Sequence, residues 1–139
     1  DLSNPQFRAI NPHGKVPALK VGARHIFENP AVLAHIADNA PEQRLLPAAG
    51  TAERDEANMW LSYFASTFHT AFTPMFAPMR FIEDVAQYDA IKKAAVARIR
   101  NEYAYVNKHL ENNQFILGDT RSILDPYCSR YYGAISFSG

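Results

Sequence analysis

A change of hydrophobic period between Val16 and Asn39 constrains the fold of this chain more than any other feature. Val16 to Val21 and His25 to Phe27 have the length and apolar character of short strands, and Gly22-Ala23 forms a tight connection between them. This pattern predicts an antiparallel hairpin. A helical spacing of apolar residues follows at Val32, Leu33, Ile36 and Ala37. The sequence therefore predicts a hairpin that leads directly into an amphipathic helix.

Residues around this hairpin predict a binding edge for an extended ligand. If the Val16–Pro17 bond is cis, the chain turns sharply and leaves the amide and carbonyl of Val16 free to pair with a group outside the sheet. Glu28 precedes a helix start whose first amides have no partner within the helix, so a ligand carboxylate can bind those amides while Glu28 holds a ligand ammonium. Each residue alone also has a structural interpretation: Asn29 can cap the helix, Glu28 can be a first-turn acid, and few X-Pro bonds are cis. Together, at this spacing, they favour the binding of a short peptide.

The same stretch carries a family resemblance. It reads NP-x-GKVPAL, then a hairpin, then Glu-Asn opening a helix that continues AVLAHIAD, and this resembles the glutathione-binding half of the cytosolic glutathione transferases, which is thioredoxin-like. The resemblance implies that Val16, before a cis Pro17, pairs its backbone with the cysteinyl part of glutathione. It also implies that Glu28 and Asn29 receive the γ-glutamyl end, although most relatives have Ser where Asn29 stands.

From Thr51 the pattern is helical. An apolar face is predicted to lie in the core at Ala57, Leu61, Phe64, Phe68 and Phe72. The opposite stripe is either a solvated surface or one wall of a wet cleft, and it holds Ser62, Ser66, His69 and Thr73.

The string LSYFASTFHTAFTPMF resembles the beta-class bacterial transferases, in which a His at this position, usually followed by Lys, reaches toward the glutathione sulfur. The resemblance makes His69 a supporting catalytic residue. Thr70 stands where Lys is usual, and Thr67 stands where a carboxylate is common. These differences affect the contacts expected on the sulfur side.

The remainder of the chain predicts helical packing. Pro74 and Pro78 are expected to end the first long helix. A second helix has a core stripe at Ile91, Ala95, Ile99, Tyr103, Val106 and Leu110. Ser122 followed by Asp125 predicts a capping box. We expect Cys128, just inside the next helix, to be a packed small hydrophobe and not a nucleophile.

These patterns predict an α/β plus all-α chain. The expected division is a partial thioredoxin-like domain at 1–42, a linker at 43–50 and a partial all-helical transferase domain at 51–139. We expect further family segments before Asp1 and after the run Tyr131–Gly139, because both chain ends resemble the middle of the family pattern. The residue that activates the glutathione sulfur is expected in the earlier segment, so this chain by itself is expected to have little or no conjugating activity.

Charge and composition exclude several classes of function. The 14 basic and 14 acidic residues balance, which argues against nucleic acid or a membrane surface as the main partner. No signal peptide or membrane-length apolar run is present in the sequence. A single cysteine fits a reducing compartment, so a cytoplasmic location is expected.

The predicted function is conjugation of the glutathione thiol to small hydrophobic electrophiles, as in detoxification. Glutathione would be a co-substrate, no metal or other cofactor is expected, and the resemblance implies a homodimer. The alternative is a non-catalytic module of the same fold that serves in binding, stress signalling or assembly with a partner protein, since fold alone does not decide function.

Overall fold

The computed structural model describes residues 2–132, with side chains described as far as residue 129; residues 133–139, in the run where we expect relatives to continue, lie outside the described residues. The helices and strands are α1 Pro5–Ile10, β1 Ala18–Val21, β2 Arg24–Phe27, α2 Asn29–Asp38, α3 Ala52–Tyr63, α4 His69–Ala71, α5 Thr73–Phe76, α6 Tyr88–Leu110 and α7 Leu124–Tyr132. A π-helical turn, Phe64–Phe68, joins α3 to α4. Single 3-10 turns occupy Pro41–Gln43, Pro78–Arg80 and Val85–Gln87.

The predicted hairpin is confirmed. β1 and β2 pair antiparallel, from Ala18 opposite Phe27 to Val21 opposite Arg24. Gly22 turns the chain with a φ of +59°, a conformation that glycine adopts without steric penalty. β1 begins at Ala18 and not at Val16 as predicted, because Pro17 has no N–H to donate to a strand ladder. The two residues before the strand are thus left outside the sheet.

The predicted helix after the hairpin is α2, but the prediction that Asn29 caps it is wrong. The helix already includes Asn29, and the cap position falls on Glu28, which makes no side-chain capping hydrogen bond. The chain turns into the helix at Glu28, whose φ of 67° is unusual for a residue other than glycine. Pro30 lies in the first turn, where a missing N–H removes no helical hydrogen bond.

The core lies in the helical half, on the faces that the sequence predicts. Phe64 and Phe68 are fully buried and meet edge to face, with ring centroids 5.8 Å apart. Ile99 and Val106 of α6 and Leu124 of α7 are buried against the same cluster. Burial of this aromatic face is the main apolar contribution to stability of the helical half.

The end of the first long helical region differs from the prediction. α4 ends at Ala71, but Pro74 lies in the first turn of the short helix α5 instead of opening a loop. A proline ring suits that position because the first turn needs no N–H donor. Pro78 then begins a 3-10 turn.

The linker is attached to the helical half, and an ion pair connects α2 to α3. Ile123 donates its amide to the carbonyl of Leu45 at 2.9 Å, and Leu46 packs against the helical core. Arg54 of α3 donates to both carboxylate oxygens of Asp38, the last residue of α2, at 2.8 Å each. It also donates to the carbonyl of Pro47 at 2.8 Å. These contacts fix the hairpin and α2 against the helical half.

The predicted capping box is confirmed. Asp125 accepts from the amide of Ser122 at 2.7 Å, and the Ser122 hydroxyl accepts from the amide of Leu124 at 3.2 Å. Cys128 is a buried free thiol, and burial raises its pKa to about 11. A protonated thiol packed in the core is a poor nucleophile, as the sequence predicts.

Among the residues that the structure describes, no helix combines the length and the apolar character needed to cross a bilayer. The same residues contain no group of three or more His, Cys, Asp or Glu side chains placed to hold a metal ion.

Candidate functional site

A cavity of about 380 Å³ lies between the hairpin region and the α3–α4 segment. Its wall includes all the residues predicted from the sequence to bind or act on a ligand, namely Val16, Pro17, Glu28, Asn29 and His69. Residues far apart in the chain thus converge on one site.

Val16 and Pro17 form a backbone edge of the cavity. The Val16–Pro17 peptide bond is cis, as predicted. Val16 is 66% exposed, and neither its amide nor its carbonyl has a hydrogen-bond partner among the described residues. An extended ligand could therefore pair with this backbone as an added strand would.

The start of α2 forms the adjacent wall. Glu28 is exposed and Asn29 is half-buried, and both line the cavity with Pro30. Pro30 has no N–H and the Val32 amide donates to the Glu28 carbonyl. The first-turn amides left without a partner among the described residues, and so available to an anionic group, are those of Asn29 and Ala31. A carboxylate of the protein and unpaired helix amides thus lie side by side, which suits a ligand group that carries both an ammonium and a carboxylate.

His69 lies on the helical side of the cavity, with Ala65 and Tyr127. Of the polar stripe, which the sequence assigned either to a solvated surface or to a wet cleft, His69 is part of the cavity wall and Ser62, Ser66 and Thr73 are not. The π-helical turn changes the phase of the helix between Tyr63 and His69.

The hydroxyls beside His69 are used within the helix. Ser66 donates to the carbonyl of Ser62 at 2.8 Å, and Thr70 donates to the carbonyl of Ser66 at 2.7 Å. Such bonds to the preceding turn are common for Ser and Thr in helices. Thr70, which stands where the family resemblance predicts Lys, is therefore oriented toward its own helix.

Several residues of the cavity wall have no predicted role in ligand binding. They are Asn11, His13, Lys15, Pro30, Ala65 and Tyr127. Asn11 and Lys15 lie within the NP-x-GKVPAL pattern, and their place next to Val16 could have suggested a contribution to the site. Tyr127 and Ala65 fall on the apolar faces of their helices, so periodicity alone assigns them to the core.

The cavity carries both signs of charge. Lys15 contributes a basic side chain to the wall, and Glu28 contributes an acidic one. A ligand with one ammonium and separate carboxylates would find an opposite charge for each kind of group.

Comparison with known proteins gives a consistent result. The glutathione S-transferase GstA of Escherichia coli O157:H7 is 32% identical over 120 residues, which cover 86% of this chain and 56% of that protein. The structure of a sphingomonad glutathione S-transferase complexed with glutathione is 36% identical and superimposes with a TM-score of 0.84 over 96% of this chain and 66% of that one. The ternary complex of BphK, a bacterial glutathione S-transferase, is 30% identical with a TM-score of 0.82, over 99% of this chain and 72% of that one.

No protein-family model matches the chain. The chain spans 56% to 62% of the length of the curated bacterial relatives that it matches.

Proposed function

The chain belongs to the glutathione S-transferase family, and on that premise we propose that its cavity binds glutathione as a co-substrate for transfer of the thiol to an electrophilic carbon. The observation that carries the proposal is the convergence of the Val16 edge, the α2 start and His69 on one cavity. The sphingomonad structure was solved with glutathione bound, which supports this choice of ligand.

We place the tripeptide in an extended form along the cavity. Its cysteinyl residue pairs with the Val16 backbone, and its γ-glutamyl end lies at Glu28 and Asn29. There Glu28 holds the ammonium, while the amides at the start of α2 hold the carboxylate. The remaining carboxylate, on glycine, is left for a cationic side chain such as Lys15. This placement brings the sulfur toward the helical wall that carries His69.

His69 supports the thiolate in this arrangement. An imidazole N–H donating to sulfur favours the charged form of a thiol whose ordinary pKa is about 8.5. The primary sulfur-activating residue is proposed to lie outside this chain. The half-buried and buried residues beside His69, Ala65 and Tyr127, offer an apolar surface for a small hydrophobic electrophile.

The finer features follow the family. We propose the division at 1–42, 43–50 and 51–139, supported by the contacts of the linker with α3 and with Ile123. A homodimer, a detoxifying role and a cytoplasmic location are likewise proposals. The proposed cytoplasmic location is supported by the single cysteine, which is a buried free thiol.

The test is isothermal titration of the protein with glutathione, followed by an assay with a chloro-nitroaromatic electrophile. Glu28→Gln should weaken glutathione binding about tenfold, because a charge-assisted contact to the ammonium contributes about 1.5–3 kcal/mol in a desolvated site and less at an exposed one. Glu83→Gln removes an exposed acid outside the cavity and should leave the affinity unchanged.

The outcomes separate the candidate functions. Binding with conjugation supports the transferase. Binding without conjugation in the full-length protein supports a non-catalytic module of the same fold. No binding of glutathione at millimolar concentration contradicts the proposal.

A further inference from the structure

We propose that Asn11 is a positioning residue that orients the Val16 amide for the ligand; this inference rests on the proposed binding of glutathione. Asn11 is a polar residue that is only 3% exposed, at the foot of the loop that leads to the Val16 edge. Buried polar side chains of this kind are nearly always hydrogen-bonded, and their partners show what they hold in place.

Both ends of the Asn11 amide side chain bind the backbone of this loop. Its Nδ2 donates to the carbonyl of Lys15 at 2.7 Å, and its Oδ1 accepts from the amide of His13 at 3.1 Å. The backbone of Asn11 continues the pattern, because its amide donates to the carbonyl of Phe7 in α1 at 2.8 Å and its carbonyl accepts from the amide of Gly14 at 2.9 Å. The loop is therefore anchored to α1 through one residue.

Gly14 shows how closely the loop is folded back. Its φ is +61°, and a Cβ at this position would lie 3.0 Å from the carbonyl oxygen of Leu2 and 3.2 Å from the guanidinium of Arg8. A side chain here would be strained by the positive φ and would press on the Leu2 backbone, whereas the end of the Arg8 side chain could move aside. The turn between Asn11 and Lys15 is thus fixed by sterics as well as by hydrogen bonds.

The bond to Lys15 is the one that reaches the ligand edge. The carbonyl of Lys15 and the amide of Val16 belong to the same peptide group, which is trans. In a planar trans peptide the C=O and N–H point in opposite directions, so fixing one fixes the other. Because the carbonyl is held by buried Asn11, the Val16 N–H is directed away from Asn11, and Val16 lies on the cavity wall.

The hydrogen bond has two effects on that amide. It orients the N–H before the ligand arrives, which lowers the ordering cost of binding. It also polarises the peptide group, since hydrogen bonds in a chain strengthen one another. Asn11 would therefore increase affinity for a ligand carbonyl at Val16 without touching the ligand.

The test is a selectivity ratio measured by isothermal titration. The two probes are glutathione and its analogue in which an (E)-alkene replaces the Cys–Gly peptide group, so that the analogue keeps the net charge and extended shape but cannot accept from the Val16 amide. Asn11→Asp keeps an acceptor for the His13 amide but replaces the Nδ2 donor with a second carboxylate oxygen facing Lys15. We expect wild type to prefer glutathione about fivefold to tenfold, and Asn11→Asp to lose most of that preference.

The ratio of the two affinities is measured because effects that are common to both probes cancel in it. An unfolded fraction, or the added negative charge, weakens both ligands alike and leaves the ratio unchanged. The matched control is Asn113→Asp, since Asn113 Nδ2 donates to the carbonyl of His109 at 2.7 Å across the same four-residue separation but lies outside the cavity wall. It should keep the wild-type preference.

Two results would overturn the inference. One is an Asn11→Asp variant with the wild-type ratio, which would mean that Asn11 only shapes the loop. The other is a wild type that binds both probes equally, which would remove the Val16 amide from recognition. If wild type does not bind glutathione at all, the proposed function itself fails, and this outcome is distinct from both.

Discussion

At the scale of single residues, Glu28 combines an unfavourable backbone with a proposed contact to the ligand. Its φ of 67° lies in a region where the Cβ atom of an L-residue crowds the backbone. Such a conformation costs about 1–3 kcal/mol and persists because the surrounding structure enforces it. Its carbonyl accepts from the amide of Val32 at 3.0 Å, which begins the hydrogen bonding of α2. A glycine would adopt this conformation more easily, so the presence of Glu suggests that the carboxylate is retained for function.

Glu28→Gly should therefore separate stability from binding. We expect the variant to unfold at the same urea concentration as wild type or a slightly higher one, because relief of the strain offsets the greater freedom of glycine in the unfolded chain. Its affinity for glutathione should fall at least as much as that of Glu28→Gln. Urea unfolding and isothermal titration measure the two quantities, and a loss of stability above about 1 kcal/mol would contradict the strain argument.

His69→Ala should raise the pKa of the bound glutathione thiol by about one to two units, since one unit corresponds to about 1.36 kcal/mol of preference for the thiolate. No Lys follows His69 in this chain, so Thr70 supplies no second cation at the sulfur. The measurement is a pH titration of thiolate absorbance in the glutathione complex. His25→Ala, on β2 and outside the cavity wall, is the control and should leave that pKa unchanged.

In steady-state kinetics of the full-length protein, His69→Ala should lower kcat about tenfold to hundredfold, whereas Glu28→Gln should mainly raise KM for glutathione. If kcat and the thiol pKa are unchanged in His69→Ala, His69 does not act on the sulfur and is an ordinary surface histidine.

At the scale of elements, the pair of Arg54 and Asp38 holds α2 against α3. The guanidinium side chain is 8% exposed and the carboxylate 49% exposed, so the pair lies at the edge of the core. The hydrogen bonds from Arg54 hold the pKa of Asp38 below its ordinary value, and the carboxylate in turn raises the pKa of Arg54. Because the carboxyl pKa is depressed in the folded state, its contribution to stability is present above the unfolded pKa and is lost as pH falls through the folded pKa.

Asp38→Asn should consequently destabilise the protein by about 1–2 kcal/mol at pH 7, since Arg54 loses a charged partner but keeps the carbonyl of Pro47. The difference between wild type and variant should shrink as pH falls below about 4, because wild-type Asp38 then becomes protonated as well. Urea unfolding at several pH values measures it. Asp119→Asn, an exposed loop acid, should show little difference at any pH, and a pH-independent effect of Asp38→Asn would contradict the ionic explanation.

The elements that the sequence predicted well are those whose period is long or whose local chemistry is complete. The core faces of α3 and α6 repeat over several turns, and the Ser122–Asp125 capping box needs only four residues. Two structural details were not predicted from the sequence, because each depends on the conformation of very few residues. The π-helical turn at Phe64–Phe68 has no period that differs visibly from an α-helix, and the start of α2 depends on the unusual φ of Glu28.

The candidate site was predictable only in part for a related reason. Residues that would touch the ligand, such as Glu28 and His69, are polar in positions where polarity has no obvious structural use. Asn11 looks like an ordinary turn residue in the sequence, and its role depends on hydrogen bonds that a linear pattern does not contain.

At the scale of the whole molecule, the cavity lies between two parts of the chain that differ in the size of their hydrophobic core. The helical half has the aromatic core around Trp60, Phe64 and Phe68, whereas the hairpin has two short strands. A two-stranded hairpin is marginal alone and depends on what packs against it. The hairpin packs on α2 through β2, and α2 is connected to the helical half by Arg54 and by Leu33.

Glutathione should therefore stabilise both parts together. A ligand that binds only the folded state adds about 2.7 kcal/mol of stability at one hundred times its Kd. Unfolding is followed by fluorescence of Trp60, the single tryptophan, which is 2% exposed. Because the proposed binding mode has glutathione contact Val16 on one side and His69 on the other, slowed hydrogen exchange should appear both in the loop before β1 and in the α3–α4 segment. Glu28→Gln at the same ligand concentration should show less protection in both places. Protection confined to the hairpin side would contradict the bridging geometry, since the ligand would then bind without engaging the helical wall.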